Sequence, residues 1–298
     1  MNKEKYQNID YVSDENTCSE LESLNKKNED LSGFNLNKAN LTNINLVNSI
    51  MKNTNLSRAN LINSSLYGIN LSGSNLFKTN FENANLNNAN LQNCNLLGAN
   101  FTNTKLNNIK WGKDYKVINE LEAEQAYKKG NFELANKKYR EAEDIYRNIK
   151  ISMQSQTLGN DTGEFFIREM TAKRKQLNRF SLKRLGSKII EVTTGYGEKL
   201  SNIAFTILGI IIVCMILYGI EGVSYQDKTL GFFSDDFPML RTIGNLFYFS
   251  VVVYSTVGFG EMVPIGPLGK SIVIFEGIIG GIVLAILVIA LYKKLMDR

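Results

Sequence analysis

From Leu31 to Leu106 a large apolar residue stands at every fifth position: Leu31, Leu36, Leu41, Leu46, Met51, Leu56, Leu61, Leu66, Leu71, Leu76, Phe81, Leu86, Leu91, Leu96, Phe101 and Leu106. Two residues before most of these sits a small or β-branched side chain, as at Ala39, Ser49, Thr54, Ala84, Cys94 and Ala99, and Asn fills most of the space between. A period of five fits neither the 3.6 of a helix nor the 2 of a strand. It predicts a coil that turns a corner every five residues, with Leu or Phe deepest and the small residue shallower. Residues 1–30 are polar and lack a period, which predicts a mobile tail or a weak cap.

Trp111 is expected to cap the last coil. Beyond it, Glu, Lys, Ala and Tyr recur at helical spacings, and Gln125 to Phe132 followed by Ala135, Tyr139 and Ala142 predicts a helical hairpin turning at Gly130. That hairpin is expected to pack on a further helix over 164–180 and to act as a spacer, with a partner-binding platform as the alternative. After Lys199 come twenty-one uncharged, mostly aliphatic residues, enough to cross a hydrocarbon core. A second apolar run, 271–292, carries one acid, Glu276, and ends in Lys293-Lys294. Between them the aromatic segment 243–255 is too short to cross, and it ends in Thr256-Val257-Gly258-Phe259-Gly260. Such a segment reads as a re-entrant loop, tolerated at membrane depth only where it is buried in protein or lines water.

Composition sharpens this picture at three points. The 298 residues contain no His and carry a net charge of +5, and Cys18, Cys94 and Cys214 lie too far apart in sequence for a metal-ligand motif. With no nucleophile arrangement and no phosphate-binding loop either, we expect no enzyme and no organic cofactor. Eight basic residues and one acid lie between Arg168 and Lys188. Ahead of an apolar span that bias places the preceding chain in the cytosol, and each charge gains about 1 kcal/mol near an anionic leaflet, so anionic lipid is the expected partner of 168–188. Nucleic acid is not expected, since no recognition motif accompanies the charge. No apolar stretch opens the chain, so no leader is expected and both termini are placed in the cytosol.

The repeat over 31–110 resembles the pentapeptide-repeat family. The resemblance implies a right-handed quadrilateral β-helix of four coils, about 20 Å long at the usual inter-strand spacing. Six Lys or Arg and a single acid, Glu82, in this segment exclude an acidic DNA mimic. The hairpin resembles one tetratricopeptide repeat. Phe247 to Gly260, with Glu261 and Pro264, resembles the pore helix and selectivity filter of potassium channels, over residues 200–295.

That second resemblance implies an all-α, two-span pore-loop domain that works as a homotetramer. K⁺ ions in the filter are its cofactors, held by carbonyls of Thr256, Val257, Gly258 and Phe259 before Gly260. Phe259 stands where Tyr is usual, Glu261 where Asp is usual and Ser255 where Thr is frequent. Lacking a hydroxyl at Phe259, the filter is expected to be braced by Phe249 and Val252, with Glu261 and Glu276 in support. Gly280, twenty residues beyond Gly260, and Gly281 are read as a hinge, or equally, with Gly277, as positions of close packing. Leu284, Val288 and Tyr292 are expected to line the pore and form its cytosolic gate.

The domains read as a tail or cap over 1–30, a β-helix over 31–110, a helical domain over 111–180 and a membrane domain over 181–298. Within the last, the spans are 200–221 and 268–294, the pore helix 243–255 and the filter 256–260. The expected function is passive K⁺ conduction across a bacterial plasma membrane by a multi-pass protein, regulated through its cytosolic domains by an unknown partner. A weakly selective cation channel and a membrane-anchored scaffold are the alternatives. Glycines at 159–163 and 195–197 are expected to let the domains move.

Overall fold

The computed structural model describes residues 3–156 and 159–296. The chain forms two compact units that divide between Lys188 and Ile189, eight residues beyond the boundary expected from sequence.

In the first unit every backbone bridge of the repeat region is parallel and joins residues twenty apart, from Asn35↔Asn55 to Asn90↔Lys110. Twenty residues therefore complete one coil of four five-residue sides. Each corner is a four-residue turn, as where the Ala39 N–H donates to the Leu36 carbonyl at 3.1 Å. Its third residue takes a positive φ, the requirement of a type II turn. Asn and Gly tolerate that region best, and they occupy the position everywhere except Lys38, Arg58 and Lys78. Those three cations stand twenty residues apart and stack on one corner.

A second Asn position serves the sides. Asn80 Oδ1 accepts from the Glu82 N–H at 3.1 Å and from Asn100 Nδ2 at 2.9 Å, so one side chain closes a local turn and bonds to the next coil. Inside, the deep Leu and Phe residues are fully buried, and Phe81 stacks on Phe101 one coil on, with centroids 5.6 Å apart.

Both rims of this solenoid are covered. A strand edge left open templates aggregation, and residues 3–30 prevent it at the first coil as an ordered cap rather than a tail. Helix α1 (Glu4–Gln7) brings Tyr6 onto Phe34 at 4.9 Å, and helix α2 (Thr17–Lys26) buries Leu21 and Leu24. The Asn35 N–H donates to the Tyr6 carbonyl at 2.6 Å and the Asn45 N–H to Glu22 Oε1 at 2.8 Å.

The last coil is closed by helices α3 (Ile118–Lys128), α4 (Phe132–Gln154) and α5 (Gly159–Lys175). Trp111 is buried edge-on to Phe165 at 5.1 Å, and Tyr146, Ile149 and Met153 of α4 join the solenoid's own core. Asn148 Nδ2 donates to the Ala99 carbonyl at 2.5 Å and Gln156 Nε2 to that of Thr104. The segment expected as a spacer is thus continuous with the β-helix core. Gly130, at φ 77°, ends α3, and Asn131 Oδ1 caps α4 by accepting from the Leu134 N–H. Helix α5 begins at Gly159 and stops at Lys175, earlier than the 164–180 expected, so residues 159–163 open a helix instead of a loose linker. Glu169 bonds to Arg147 at 2.9 Å and Lys150 at 2.7 Å, tying α5 to α4. Glu120 is buried, accepts from the Tyr146 hydroxyl and lies 3.6 Å from Arg168; burial raises its pKa.

Helix α6 (Leu182–Thr194) follows a break at 176–181, so the basic segment 168–188 is two helix ends and a connection. The second unit continues through a tight turn at Gly195–Gly197 into helix α7 (Leu200–Glu221). Strands β1 (Val223–Tyr225) and β2 (Lys228–Leu230) form a hairpin, and β3 (Met262–Pro264) pairs antiparallel with β1, in the order β2-β1-β3. This sheet was not expected from sequence. Helix α8 (Met239–Tyr254) starts behind Pro238, four residues before the predicted 243. Helix α9 (Gly266–Met296) starts before the predicted 268 because Pro267 sits in its first turn, where a missing N–H costs nothing. At one end Val223 pairs with Pro264, and at the other Lys293 Nζ meets Glu198 Oε1 at 2.7 Å, so α7 and α9 run antiparallel.

Candidate functional site

Helix α8 ends in a Schellman motif. The Val257 N–H reaches back to the Val252 carbonyl at 3.2 Å and the Thr256 N–H to that of Val253 at 3.0 Å. Such a motif needs a left-handed residue, usually Gly, and here Thr256 takes that place at φ 57°. A β-branched residue there stores about 1–3 kcal/mol of strain.

From this point φ alternates in sign. Thr256, Gly258 and Gly260 are positive at 57°, 59° and 82°, while Val257 and Phe259 between them are not. Alternation of this kind gathers successive N–H groups on one side of the backbone and carbonyls on the other. The loop from Thr256 to Glu261 is exposed in the single chain, with Phe259 68% accessible. Behind it lies an apolar cavity of about 160 Å³, lined by Phe249, Val252, Val253, Met262 and Val273 together with the Gly258–Glu261 backbone. Tyr248 of α8 also lines this cavity and interacts with Glu261. Pairing of β3 with β1 fixes the far end of the loop.

One layer further back, Glu276 of α9 is fully buried. Ser250 of α8 donates to its Oε1 at 2.5 Å and Tyr218 of α7 to its Oε2 at 2.7 Å. The carboxyl therefore joins all three helices. The Tyr218 ring also meets Phe249 edge-on at 4.8 Å, so Phe249 is held from behind while it lines the cavity. Gly280 faces the last turn of α8: a Cβ there would stand 2.6 Å from the Tyr254 carbonyl oxygen. Gly277 and Gly281 meet nothing within 4 Å in the chain, and α9 runs unbroken through all three.

The structure thus brings Thr256–Glu261, Phe249 and Val252 together around one cavity and sets Glu276 and Gly280 on the back of α8. Leu284, Val288 and Tyr292 lie farther along α9, Leu284 half-buried and the other two exposed. Sequence reasoning missed Tyr218, Ser250 and Tyr248. Their signal was a hydroxyl inside an otherwise apolar segment, where a polar group needs a partner.

Among the described residues, no group of three or more His, Cys, Asp or Glu is arranged to hold a metal. Helices α7 and α9 are long and apolar enough to cross a membrane, and only 28% and 17% of their most apolar windows are buried in the chain.

Residues 219–297 match the model of a family described as ion channel, and residues 30–110 match pentapeptide repeats in eight copies. The pentapeptide repeat protein Rfr23 from the cyanobacterium Cyanothece 51142 is 41% identical over 30% of this chain, at a TM-score of 0.29; the match spans 60% of that protein's length. The pentapeptide repeat protein alr5209 from Nostoc Pcc 7120 is 32% identical over 32% of this chain and 77% of its own, at 0.30. No curated protein matches the chain. The chain therefore carries pentapeptide repeats over residues 30–110 and is similar to the ion channel family over residues 219–297.

Proposed function

We propose that the protein is a potassium-selective channel in which four copies surround one pore. The observation that carries this reading is the alternation of φ along an exposed Thr-Val-Gly-Phe-Gly loop at the end of a short helix between two apolar ones. Carbonyls gathered on one side of such a loop replace the hydration shell of K⁺. A single chain supplies one side of the ring, and the exposed apolar faces of α7 and α9 leave room for neighbours and lipid. The negative end of the α8 dipole, at Ser255, stabilises a cation below the filter. Leu284, Val288 and Tyr292, spaced by four on α9, are assigned to the pore lining and gate.

Both the Glu198 end of α7 and the Lys293 end of α9 are placed on the cytosolic side of the plasma membrane by the basic residues that flank them. Helix α6 exposes Leu182, Leu185, Ile189 and Val192 beside Lys183, Arg184 and Lys188, which suits the headgroup region of an anionic leaflet. A weakly selective cation pore is the second reading. It is favoured by Phe259, which leaves the cavity behind the filter without the hydroxyl that usually braces it. A membrane-anchored scaffold has no use for a strained, exposed loop.

Reconstituted protein should pass K⁺ in preference to Na⁺ and be blocked by Ba²⁺. Equal K⁺ and Na⁺ flux would select the weakly selective pore, and vesicles that stay tight at verified incorporation would overturn conduction.

A further inference from the structure

A second concavity lies in the first unit, where the α3–α4 hairpin meets the connection between α5 and α6. It measures about 260 Å³. One wall is aromatic: Tyr127 and Phe132 meet edge-to-face at 5.2 Å, and Phe132 is 59% exposed, a large ring left in solvent beside a turn. The remaining walls are cationic, formed by Lys175 at the end of α5, Arg179 in the connection and Arg184 in the first turn of α6. Arg184 Nη1 donates to the Leu177 carbonyl at 2.9 Å, which fixes the guanidinium and leaves its other donors available. Among the described residues no carboxylate lines the pocket, and the amides of Asn136 and Asn178 complete its polar edge.

Three positive charges around one small space repel one another, and the fold supplies no acid among the lining residues to relieve them. A bound anion does so. Arginine pairs recognise phosphate through parallel N–H donors, and an aromatic face opposite them offers a stacking surface for a planar ring. We propose that this pocket binds a mononucleotide, with its phosphate at Lys175, Arg179 and Arg184 and its base against Phe132 and Tyr127. The volume lies just below the roughly 300 Å³ at which small-molecule pockets begin, so a mononucleotide there keeps part of its surface in solvent, beside the exposed Phe132 ring. A phospholipid headgroup carries the same phosphate but no ring for the aromatic wall. Because the lining draws on both the α3–α4 turn and the start of α6, an occupant ties these segments together. Any effect on conduction rests on the channel reading; binding does not.

The test is isothermal titration of the full chain in nanodiscs of zwitterionic lipid with AMP, GMP, CMP and UMP, alongside the matching nucleosides and inorganic phosphate. At least one nucleotide should bind saturably at one per chain, tenfold or more tighter than its nucleoside and than phosphate. Phe132→Ala and Arg179→Ala alter exposed side chains; each should weaken that binding at least tenfold without changing the melting temperature of the unliganded protein. Absence of saturable binding by all four nucleotides overturns the proposal. So does phosphate binding as tightly as every nucleotide, or unaltered affinity in both variants. Displacement of the nucleotide by phosphatidylglycerol vesicles at equal affinity would reassign the pocket to a lipid headgroup. The heats are read without ion flux, so a non-conducting pore leaves this result standing, and failure here leaves the channel reading untouched.

Discussion

Ser250 Oγ lies 2.5 Å from Glu276 Oε1, and through that bond the short helix α8 is fastened to α9 in a layer that contains no water-facing surface. Removing the acceptor strands the buried Tyr218 hydroxyl, at about 1–3 kcal/mol, while Ser250 keeps the Ile211 carbonyl 3.0 Å away and loses its tie to α9. Glu276→Ala should therefore lower the melting temperature of the purified protein markedly, and Tyr218→Phe should reduce its stability by roughly 1 kcal/mol. If Glu276→Gln matches the wild type in both stability and K⁺ over Na⁺ discrimination, the carboxyl is not what holds α8.

Gly280 and Gly281 separate packing from bending. A methyl at Gly280 meets the Tyr254 carbonyl at 2.6 Å, whereas one at Gly281 meets nothing within 4 Å. Gly280→Ala should impair assembly or flux, and Gly281→Ala should leave both intact. The reverse ranking, read from liposome flux and from size-exclusion profiles, would make this pair a hinge.

Thr256 carries strain that glycine would not. Thr256→Gly is expected to raise stability by about 1 kcal/mol while reducing K⁺ over Na⁺ selectivity, because both the hydroxyl and the constraint on the loop are lost. A variant that is both less stable and equally selective would contradict the strain assignment.

The stacked corner of the solenoid gives a simpler case. Arg58 sits at positive φ between Lys38 and Lys78, one coil away on either side. Replacing it with Asn removes the middle of three like charges and a backbone cost, partly offset by losing the guanidinium's place 6.0 Å from the Phe77 ring, so Arg58→Asn should stabilise the first unit by about 0.5 kcal/mol. The gain should shrink with added salt; thermal melts at low and high ionic strength check this.

Glu120 supplies a pH dependence. Burial raises its pKa above the ordinary 4.5, so the folded state binds its proton more readily than the unfolded state. Its favourable contribution is complete below the ordinary value and is lost as pH rises through the raised one. Relative to Glu120→Gln, the wild type should therefore gain stability as the pH falls from neutral. A difference in melting temperature that is flat with pH would show that Glu120 does not titrate on unfolding.

Much of this architecture is legible in the chain because period and length are physical. A Leu every fifth residue calls for a coil that turns a corner at each repeat, which the resemblance to the pentapeptide-repeat family implies to be four-sided, and an uncharged stretch of about twenty residues measures a bilayer. What stayed hidden depends on partners far apart in sequence. Asn43 and Asn40 look alike in a repeat, yet the first holds a left-handed corner and the second reaches its neighbours through its amide. The three-residue strands are too short to show alternation, and Tyr218 waits for Glu276 fifty-eight residues later. Gly280 fits a hinge and a contact equally well until the Tyr254 carbonyl is placed beside it.

The two covered rims of the β-helix set a limit on how copies of this chain can combine. A naked coil at either end would act as a seed, adding the coil of another molecule as readily as its own. With α1 and α2 on the first coil and α4 and α5 on the last, neither end offers that template, and rod length is decided by where the caps fall. Inserting one more twenty-residue coil mid-rod should leave a soluble, longer first unit. Cutting away residues 3–26 should instead yield a protein that pairs through its bared first coil and stops at the dimer, because α4 and α5 still cover the last coil.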